Sequence, residues 1–385
     1  MLGTRFYFDW PNYRTMLGLL RRDPPASKRW SRYFGFLLGV PLVAAIHAVC
    51  FALDPLVFPS LRRTRVIAPT FCIGHARSGT TYLHRLMAAD PQFSYALMYE
   101  LFFPSLLEKR LLRLLFALDA AVFGKRLRHR LDAIEEQRFA PTDDMHKTGF
   151  FVPEEDDFFL TWSLCSGFWI IMFPFMGELD FYHVDDWPER KRRRAMNFYS
   201  ECVRRQIALN GGGTHLSKNP TFCGRVESLI ETFPDARFVV PMRNPDETIP
   251  SLLKLLKTEW DLRGRDERLI ATSLRVLADQ SFDTYQRPLD VLARHPDVRS
   301  VVVDYRELVA HPEATMRRIY GELDLDLGPV AAKAFAAAGA GGGHESAHRY
   351  SLAEFGLDAG EIHTRLAALF DEYHWDTQGE DADVH

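Results

Sequence analysis

The sequence predicts an α/β fold: a three-layer sandwich in which a central parallel sheet carries helices on both faces. Three apolar, β-rich runs are typical of buried strands: 66–73 (VIAPTFCI), 236–242 (ARFVVPM) and 300–305 (SVVVDY). Helical patterns lie between and after them, at 187–209, 222–233, 246–257, 266–294 and 359–374. Strands that alternate with helices form parallel sheets covered on both faces.

The composition is that of a globular protein. Of 385 residues, 47% are hydrophobic and 25% are charged, and the formal net charge is −4. This charge excludes nucleic acid binding by bulk electrostatics. The five cysteines form no CxxC pair, so we expect neither a disulfide framework nor a metal site, and we expect a reducing, cytoplasmic location.

Residues 1–64 are predicted to form an N-terminal segment outside the catalytic body, which spans 65–385. Within the segment, 34–53 (FGFLLGVPLVAAIHAVCFAL) contain no formally charged residue. About 20 helical residues reach roughly 30 Å, the thickness of a hydrocarbon core. Basic residues flank both ends, whereas a single span carries its basic excess on one side. Two interpretations remain open: a helix associated with the cytoplasmic face of a membrane, or a helix packed on the core.

A loop rich in small polar residues, CIGHARSGTT at 72–81, follows the first predicted strand and opens a helical run. Exposed backbone N–H groups and the positive end of the following helix stabilise an anion there. Arg77 adds a fork of donors, and hydroxyl groups come from Ser78, Thr80 and Thr81. The loop is P-loop-like, but it lacks the Gly-Lys-Ser/Thr ending of a nucleotide triphosphatase.

A second candidate anion site lies after the strand at 236–242. Arg243 stands at the strand end and Ser251 follows eight residues later, within a predicted helix. Ligands of parallel sheets bind beyond the carboxyl ends of the strands. Two phosphate-sized sites on one sheet edge suit a nucleotide with two phosphorylated positions.

Three motifs in this order resemble the sulfotransferases that use 3′-phosphoadenosine 5′-phosphosulfate. They are GHARSGTT at 74–81, the stretch from HLSKNP to RNPDETIPS at 215–251, and VVVDYRELVAHPEATMRRIY at 301–320. The stretch HRYSLAEFGLD at 348–358 is similar to a bacterial branch of that family. Ala76 departs from the family, which commonly has proline there.

The resemblance implies a role for each matching residue. The loop Arg77, Ser78, Gly79, Thr80 and Thr81 would hold the 5′-phosphosulfate, and Arg243 with Ser251 the 3′-phosphate. Lys218 would lie near the transferred sulfuryl group and Tyr305 near the adenine. Arg349 is predicted as a further contact of the 3′-phosphate.

The implied reaction is in-line transfer of a sulfuryl group to an acceptor hydroxyl, without a metal. Arg77 and Lys218 would stabilise charge on the departing bisphosphate, and a carboxylate would act as the base. Glu100, which lies among apolar residues, is the predicted base; alternatively, it pairs with an arginine of the basic helical region at 101–136. Glu154 and Glu155, in the acidic run PEEDD, and His75 are the other candidates.

The acceptor side is less defined. Residues of about 100–200 are predicted to form a helical, aromatic acceptor-binding insertion, although these aromatics also suit an ordinary core. The acceptor would be a small-molecule, lipid or glycan hydroxyl, with a hydrophobic or membrane-presented compound favoured. Two alternative functions remain: a kinase-like phosphotransferase, which needs a lysine absent from the loop, and a catalytically silent nucleotide-binding membrane protein. The sequence leaves the acceptor and the oligomeric state undefined. It also predicts a flexible loop at 336–343 (AAAGAGGG).

Overall fold

The computed structural model describes residues 6–22, 29–139, 149–340 and 352–375. Its centre is a five-stranded sheet in the order β2-β3-β1-β4-β5, and all four neighbouring pairs are parallel. The strands are β1 (Thr70–Cys72), β2 (Phe93–Ser94), β3 (Thr214–Lys218), β4 (Arg237–Met242) and β5 (Arg299–Asp304). The α/β prediction with a central parallel sheet is therefore confirmed.

Helices cover the sheet and extend it at the N-terminus. In the first half of the chain they are α1 (Trp10–Arg22), α2 (Arg29–Phe34), α3 (Val40–Val57), α4 (Thr80–Ala88), α5 (Met98–Leu101), α6 (Leu106–Val122), α7 (Arg126–Phe139) and α8 (Phe168–Met172). In the second half they are α9 (Glu189–Asn210), α10 (Val226–Thr232), α11 (Pro245–Leu262), α12 (Glu267–Arg294), α13 (Tyr305–Ala310), α14 (Pro312–Glu322), α15 (Pro329–Ala340), α16 (Ala359–Arg365) and α17 (Ala367–Tyr373). Short 3₁₀ turns at Asp156–Ser163 and Pro220–Arg225 also border the site.

Alternate residues of the central strands enter opposite apolar layers. Phe238 and Val240 of β4 pack in the larger layer, whereas Val239 between them packs in the smaller one. The period of two in strand side chains produces this division. The sheet is thus buried on both faces, as its continuous apolar strands require.

The N-terminal helices pack on this body instead of standing apart from it. Asp54 of α3 is fully buried and forms an ion pair of 2.6 Å with Arg205 of α9, which is also fully buried. Asp54 also accepts hydrogen bonds from the backbone N–H groups of Leu106 and Leu107, at 3.0 and 2.8 Å. The carboxylate therefore caps the start of α6 and ties three helices together.

One N-terminal stretch has the length and apolar composition of a helix that could cross a membrane. Within the described residues, the continuous helical segment Trp30–Val57, which joins α2 and α3 through a short π-helical turn, is long and apolar enough to cross a membrane by length and composition. A helix packed on the core of a soluble protein passes the same test. One side of the segment does pack on the protein.

The predicted loop at 336–343 is wrong in part. Helix α15 continues to Ala340, and the remaining three residues lie outside the described part of the chain. The stretch begins with three alanines, the best helix formers, so they extend the helix through Gly339 to Ala340.

Candidate active site

The predicted binding residues follow the carboxyl ends of four neighbouring strands. Strand β1 lies between β3 and β4, and β5 pairs with β4. Lys218 ends β3, the loop 73–79 follows β1, Arg243 follows β4, and Tyr305 follows β5. Parallel strands bring these points to one edge of the sheet, where ligands of such folds bind.

A tight turn fixes the loop after β1. Ser78 donates its backbone N–H and its hydroxyl to the His75 carbonyl, at 3.1 and 2.6 Å. Gly74 has a φ of 129°, and a Cβ at this position would lie 2.8 Å from the carbonyl oxygen of Pro241 on β4. Only glycine suits both this dihedral and this approach, so the loop lies directly against the neighbouring strand.

Gly79 leads the loop into α4. It has a φ of 89°, and a Cβ there would lie 2.5 Å from the ring of Tyr305, which therefore packs on the loop. The first hydrogen bond of α4 runs from the N–H of Leu83 to the carbonyl of Gly79. The N–H groups of Thr80 and Thr81 precede it and have no acceptor within the helix. Glycine at the N-cap offers no side chain to accept them, so the positive end of α4 is open to an anion.

Arg77 joins the two predicted anion sites. Its Nε donates to Ser251 Oγ at 3.0 Å, and its carbonyl accepts a hydrogen bond from Arg243 Nη1 at 3.2 Å. Its φ is 72°, a left-handed conformation that costs a non-glycine residue roughly 1–2 kcal/mol. Strain of this kind is concentrated at functional sites. The structure thus brings together residues that lie more than 160 positions apart in the sequence.

The guanidinium of Arg243 lies over the ring of Tyr305, 4.5 Å from its centroid. Its Nε and Nη2 donate to Glu247 Oε2 at 2.8 and 2.6 Å. The Glu247 side chain is 54% exposed, and exposed ion pairs of this kind contribute only about 0–1 kcal/mol. A phosphate can therefore replace Glu247 at little cost.

Lys218 is buried against two carboxylates. Its Nζ lies 2.6 Å from Glu154 Oε1 and 3.2 Å from Glu155 Oε1. Burial alone would lower the pKa of Lys218, but Glu154 and Glu155 outweigh burial and raise the pKa above its ordinary value of 10.5. The ammonium is thus charged at neutral pH, although its side chain is 1% exposed.

The contacts of Glu100 match the structural alternative proposed for it. The fully buried carboxylate pairs with Arg113 of α6, 2.7 Å from Nη2. It also accepts hydrogen bonds from the Gln206 amide at 2.8 Å, the Leu97 N–H at 3.1 Å and the Tyr99 hydroxyl at 3.1 Å. Its role as the base stays a prediction, while these contacts hold α5 against α6 and α9.

The other candidate bases differ in exposure. Glu154 is 6% exposed, whereas the side chain of Glu155 is 23% exposed and also contacts Lys218. His75 is buried, its ring stacks on Tyr285 at 4.9 Å, and its Nδ1 lies 2.6 Å from the Ala76 carbonyl. Burial lowers the pKa of His75 to about 4. Glu155 is therefore the candidate that combines contact with Lys218 and access from solvent.

Sequence reasoning missed a buried polar cluster beneath Lys218. Asp156 accepts hydrogen bonds from the Tyr199 hydroxyl, the Ser217 hydroxyl at 2.7 Å and the Asn219 amide at 3.2 Å, and its Oδ2 lies 2.8 Å from His215 Nε2. Burial would raise the pKa of Asp156, but the hydrogen bond with His215 and those from Tyr199 and Ser217 lower it. The cluster fixes the acidic run against β3 and so positions Glu155 and Lys218. The alternating polar residues of THLSKNP are the signal that could have indicated it.

The last predicted contact, Arg349, lies outside the described residues. Within the described part of the chain, no group of three or more His, Cys, Asp or Glu side chains is arranged to hold a metal ion. What the described site presents is a set of cationic and N–H donors on one sheet edge, with a carboxylate pair at its border.

Comparisons with known proteins show what this chain is similar to. Residues 69–329 match a family model described as "Sulfotransferase family". Two named relatives, from Mycobacterium bovis (strain ATCC BAA-935 / AF2122/97) and Mycobacterium tuberculosis (strain CDC 1551 / Oshkosh), are both omega-hydroxy-beta-dihydromenaquinone-9 sulfotransferase Stf3. Each is 27% identical over 331 residues, which cover 82% of this chain and 77% of the relative.

Solved structures share the fold. Sulfotransferase STF9 from Mycobacterium avium has a TM-score of 0.68 and 20% identity, over 97% of this chain and 94% of that one. Sulfotransferase STF1 from Mycobacterium tuberculosis H37Rv has a TM-score of 0.68 and 23% identity, over 94% of both chains. Because the family match covers more than half of the sequence, the protein belongs to the sulfotransferase family.

Proposed function

We propose that the protein transfers the sulfuryl group of 3′-phosphoadenosine 5′-phosphosulfate to the hydroxyl of a hydrophobic acceptor. The observation that carries this proposal is the direct contact of Arg77 with both Ser251 and Arg243. It joins two anion-binding segments at the sheet edge, as a donor with a 5′-phosphosulfate and a 3′-phosphate requires. Lys218 ends the strand next to that loop.

Each group of the donor has a set of residues suited to it. The N–H groups at the start of α4, with Arg77, Ser78, Thr80 and Thr81, would bind the 5′-phosphosulfate. Arg243 and Ser251 would bind the 3′-phosphate, and Arg349 remains a predicted third contact. The ring of Tyr305, which packs on Gly79, would lie beside the adenine.

The acceptor oxygen would attack sulfur while the bond from sulfur to the bridging phosphate oxygen breaks. The electron pair of that bond leaves with the 3′,5′-bisphosphate, so negative charge develops on the bridging oxygen. Arg77 and the charged Lys218 would stabilise this oxygen. Removing one such donor typically costs about 10²–10³ in kcat. The acceptor proton would pass to a carboxylate.

We propose Glu155 as that carboxylate. Its side chain is partly exposed and 3.2 Å from Lys218, so an acceptor can reach it. Glu154 is more deeply buried and stays the second candidate.

A cluster of three aromatic rings supports a hydrophobic acceptor. Tyr99, Phe116 of α6 and Phe151 lie 5.2–5.3 Å apart, centroid to centroid, and all three are partly buried. Phe151 lies four residues before Glu155, and Tyr99 lies beside it through the backbone pairing of Met98 with Val152. The cluster is thus linked through the backbone to the segment that carries the proposed base. Its rings form an aromatic wall, and the guanidinium of Arg128 lies over one of them, 3.3 Å from the centroid of the Phe151 ring. The M. tuberculosis relative is named for a menaquinone-derived acceptor, and we propose a lipid alcohol of similar hydrophobicity here.

A hydrophobic acceptor also favours an enzyme that associates with a membrane. We propose that the protein associates with the cytoplasmic face of a membrane through its N-terminal apolar helix. Eight large apolar side chains of Phe34–Val57 are exposed, which supports this association.

The proposal has a direct test in two steps. In the first step, 3′-phosphoadenosine 5′-phosphate should raise the melting temperature, whereas ATP with Mg²⁺ should do much less; the opposite order would favour a phosphotransferase. In the second, the protein is incubated with donor labelled in its sulfuryl group and with either a detergent-solubilised polyprenyl alcohol or a small hydrophilic alcohol. Label on the polyprenyl alcohol alone supports the proposed acceptor class. Label on the hydrophilic alcohol alone contradicts it.

A further inference from the structure

Exposed apolar side chains are concentrated on two helices that touch. Fourteen of the twenty large apolar side chains exposed in the described residues lie on Trp30–Val57 or on α6. The two helices are in direct contact, since His47 Nδ1 lies 2.7 Å from Glu108 Oε1 and the Leu107 N–H donates to Asp54 at 2.8 Å. Soluble monomers rarely expose so much apolar surface without a partner. We call these side chains the apolar surface of α3 and α6.

The helical segment Trp30–Val57 has one side buried against the protein and an opposite side that is exposed and apolar. One side is buried along its length, from Phe36 through Val40 and Ala44 to Phe51 and Asp54. The opposite side is exposed and repeats every three or four residues, at Phe34, Leu38, Leu42, Ile46, Val49 and Leu53. This spacing places the exposed side chains on one stripe of a helix.

The buried side excludes a simple crossing of the bilayer. From Phe36 to Asp54 the segment rises about 27 Å at 1.5 Å per residue, and protein covers one side over that whole length. A crossing helix of this kind needs lipid around it over roughly 30 Å. A helix with one side on a folded body and the other side apolar instead lies parallel to the membrane plane.

Helix α6 adds a second exposed stripe. Leu111, Leu114, Leu115, Leu118 and Val122 are exposed and recur at helical spacing. The opposite side of α6 holds Leu106, Lys109 and Asp119, which are buried. The exposed apolar area therefore belongs to two helices and not to the N-terminal segment alone.

The charges around the two helices identify the kind of partner. In 29–67 and 98–131, every charged side chain that is described as exposed is basic. These include Arg62, Arg63, Arg65, Arg110, Lys125 and Arg126. The acidic residues of the same stretches are buried or largely so, and Glu100, Asp54 and Glu108 pair with Arg113, Arg205 and His47. Exposed acids occur beyond these stretches on α7, where the side chain of Asp132 is 45% exposed and Glu136 is exposed. Apolar stripes bordered mainly by cations suit an anionic lipid surface.

We propose that the apolar surface of α3 and α6 inserts into one leaflet of an anionic membrane, with both helices in the membrane plane and the basic residues on the headgroups. This inference rests on the proposed membrane association, and it adds the orientation, the second helix and the lipid charge. It also gives the acceptor a short route, because Phe116 of the aromatic wall lies on α6 between the exposed leucines.

Vesicle binding tests the surface directly. The full chain is sedimented with phosphatidylcholine vesicles that either contain or lack phosphatidylglycerol. Leu42→Glu with Ile46→Glu, and separately Leu114→Glu with Leu118→Glu, should each weaken binding by more than about tenfold. Leu262→Glu with Val330→Glu, which alters exposed apolar residues elsewhere, should leave binding unchanged. Normal binding by either the α3 or the α6 variant would overturn the two-helix surface.

The basic residues have their own variants. Replacing Arg62, Arg63 and Arg65 by glutamine should weaken binding to phosphatidylglycerol vesicles by about a hundredfold. The matched control replaces three exposed arginines elsewhere, Arg190, Arg193 and Arg294, by glutamine and should bind like the wild type. Equal binding to both kinds of vesicle would contradict the anionic partner.

Depth measurements test the orientation. One cysteine is introduced at position 38, 46 or 53 in a Cys50→Ser background, in which the four remaining cysteines are buried. It is labelled with a fluorophore, which is quenched by lipids that carry nitroxides at known depths. Helices in the membrane plane predict similar shallow depths at all three positions. Depths that pass from the surface through the centre along the helix would overturn the proposal in favour of a span.

Two measurements distinguish membrane insertion from self-association and from donor binding. Without lipid, light scattering should detect no wild-type oligomer that is lost in the Leu42→Glu, Ile46→Glu variant. An oligomer of that kind would mean that the surface binds a second copy of the protein. Binding of 3′-phosphoadenosine 5′-phosphate should be equal in all surface variants. If the wild type fails to bind that nucleotide but still binds vesicles, the proposed function fails while the membrane surface stands.

Discussion

Lys218→Met should damage stability and catalysis through two separable effects. The first is electrostatic. Lys218 and Glu154 are 1% and 5% exposed and 2.6 Å apart, and removing one partner of a buried ion pair costs about 3–5 kcal/mol in the free energy of unfolding. The second is the loss of a cation near the departing bisphosphate, which should lower kcat by about 10²–10³.

The double variant Lys218→Met, Glu154→Gln distinguishes these effects. The amide removes the buried negative charge that the lysine had neutralised, so most of the lost unfolding free energy should return. Catalysis should not return, because no cation replaces Lys218. Glu154→Gln alone is the matched control and should retain more activity than either variant that lacks Lys218.

Urea unfolding at pH 7 measures the stability of each variant, and single-turnover sulfuryl transfer at saturating donor measures the chemical step. Titration with 3′-phosphoadenosine 5′-phosphate shows that the donor site is intact, since Arg243 and Ser251 are unchanged. Two results would refute the reasoning: a Lys218→Met enzyme with a wild-type rate per folded molecule, or a double variant whose activity returns together with its stability.

Three further predictions concern the donor site, the base and a buried histidine. Ser251→Ala removes a proposed contact of the 3′-phosphate and the acceptor of the Arg77 Nε–H bond, so it should weaken binding of 3′-phosphoadenosine 5′-phosphate by roughly 1.5–3 kcal/mol in calorimetry. Adenosine 5′-phosphosulfate, which lacks the 3′-phosphate, should lose less affinity, and an equal loss for both would remove Ser251 from the 3′-phosphate. Glu155→Gln should lower kcat with unchanged nucleotide affinity, whereas Glu100→Gln should lower the melting temperature and keep kcat per folded molecule; the reverse pattern returns the base to Glu100. Burial lowers the pKa of His75 from 6.5 to about 4, so the unfolded chain binds more protons than the folded protein between these pH values. The free energy of unfolding should therefore fall by about 3 kcal/mol as the pH drops to 4. In urea titrations the His75→Phe variant should lose less stability over that pH range, and a loss identical to that of the wild type would contradict this origin.

The sequence predicted β1, β4 and β5 and missed the other two strands, although β1 spans only Thr70–Cys72 of the predicted 66–73. β4 and β5 could be predicted from FVVPM and SVVVD because their side chains enter apolar layers. β3 was missed because THLSK is polar, yet four of its five residues are buried. Asp156 pairs with His215 Nε2 and the Ser217 hydroxyl, and Glu154 pairs with Lys218. No local pattern reveals these partners. β2, with two residues, is too short to produce a period.

The donor loop was predictable because its chemistry is local. Gly74 and Gly79 both need positive φ, and the residues between and after them supply the donors. The role of Glu100 could not be read in the same way. Its apolar neighbours in YALMYE indicated an isolated carboxyl group, but Arg113 and Gln206 lie 13 and 106 residues away. A buried carboxylate is defined by such partners, and the sequence around it does not contain them.

The acidic run at 154–157 shows how partners define the chemistry of this site. Four successive acids usually indicate a solvated stretch, yet Glu154, Asp156 and Asp157 are nearly fully buried. Their partners come from one later segment: Lys218 for Glu154, His215 for Asp156 and Arg225 for Asp157.

Burying three carboxylates is tolerable only when each is paired and hydrogen-bonded, so the acidic run and the segment 215–225 must fold as one unit. Glu155 is the one member of the run that remains partly exposed while it contacts Lys218. The contact of Glu155, the proposed base, with Lys218 therefore follows from the requirement that the other three acids be paired. Changing Asp157, whose carboxylate is 3.0 Å from Arg225, should accordingly disturb the position of Glu155 without altering any donor contact.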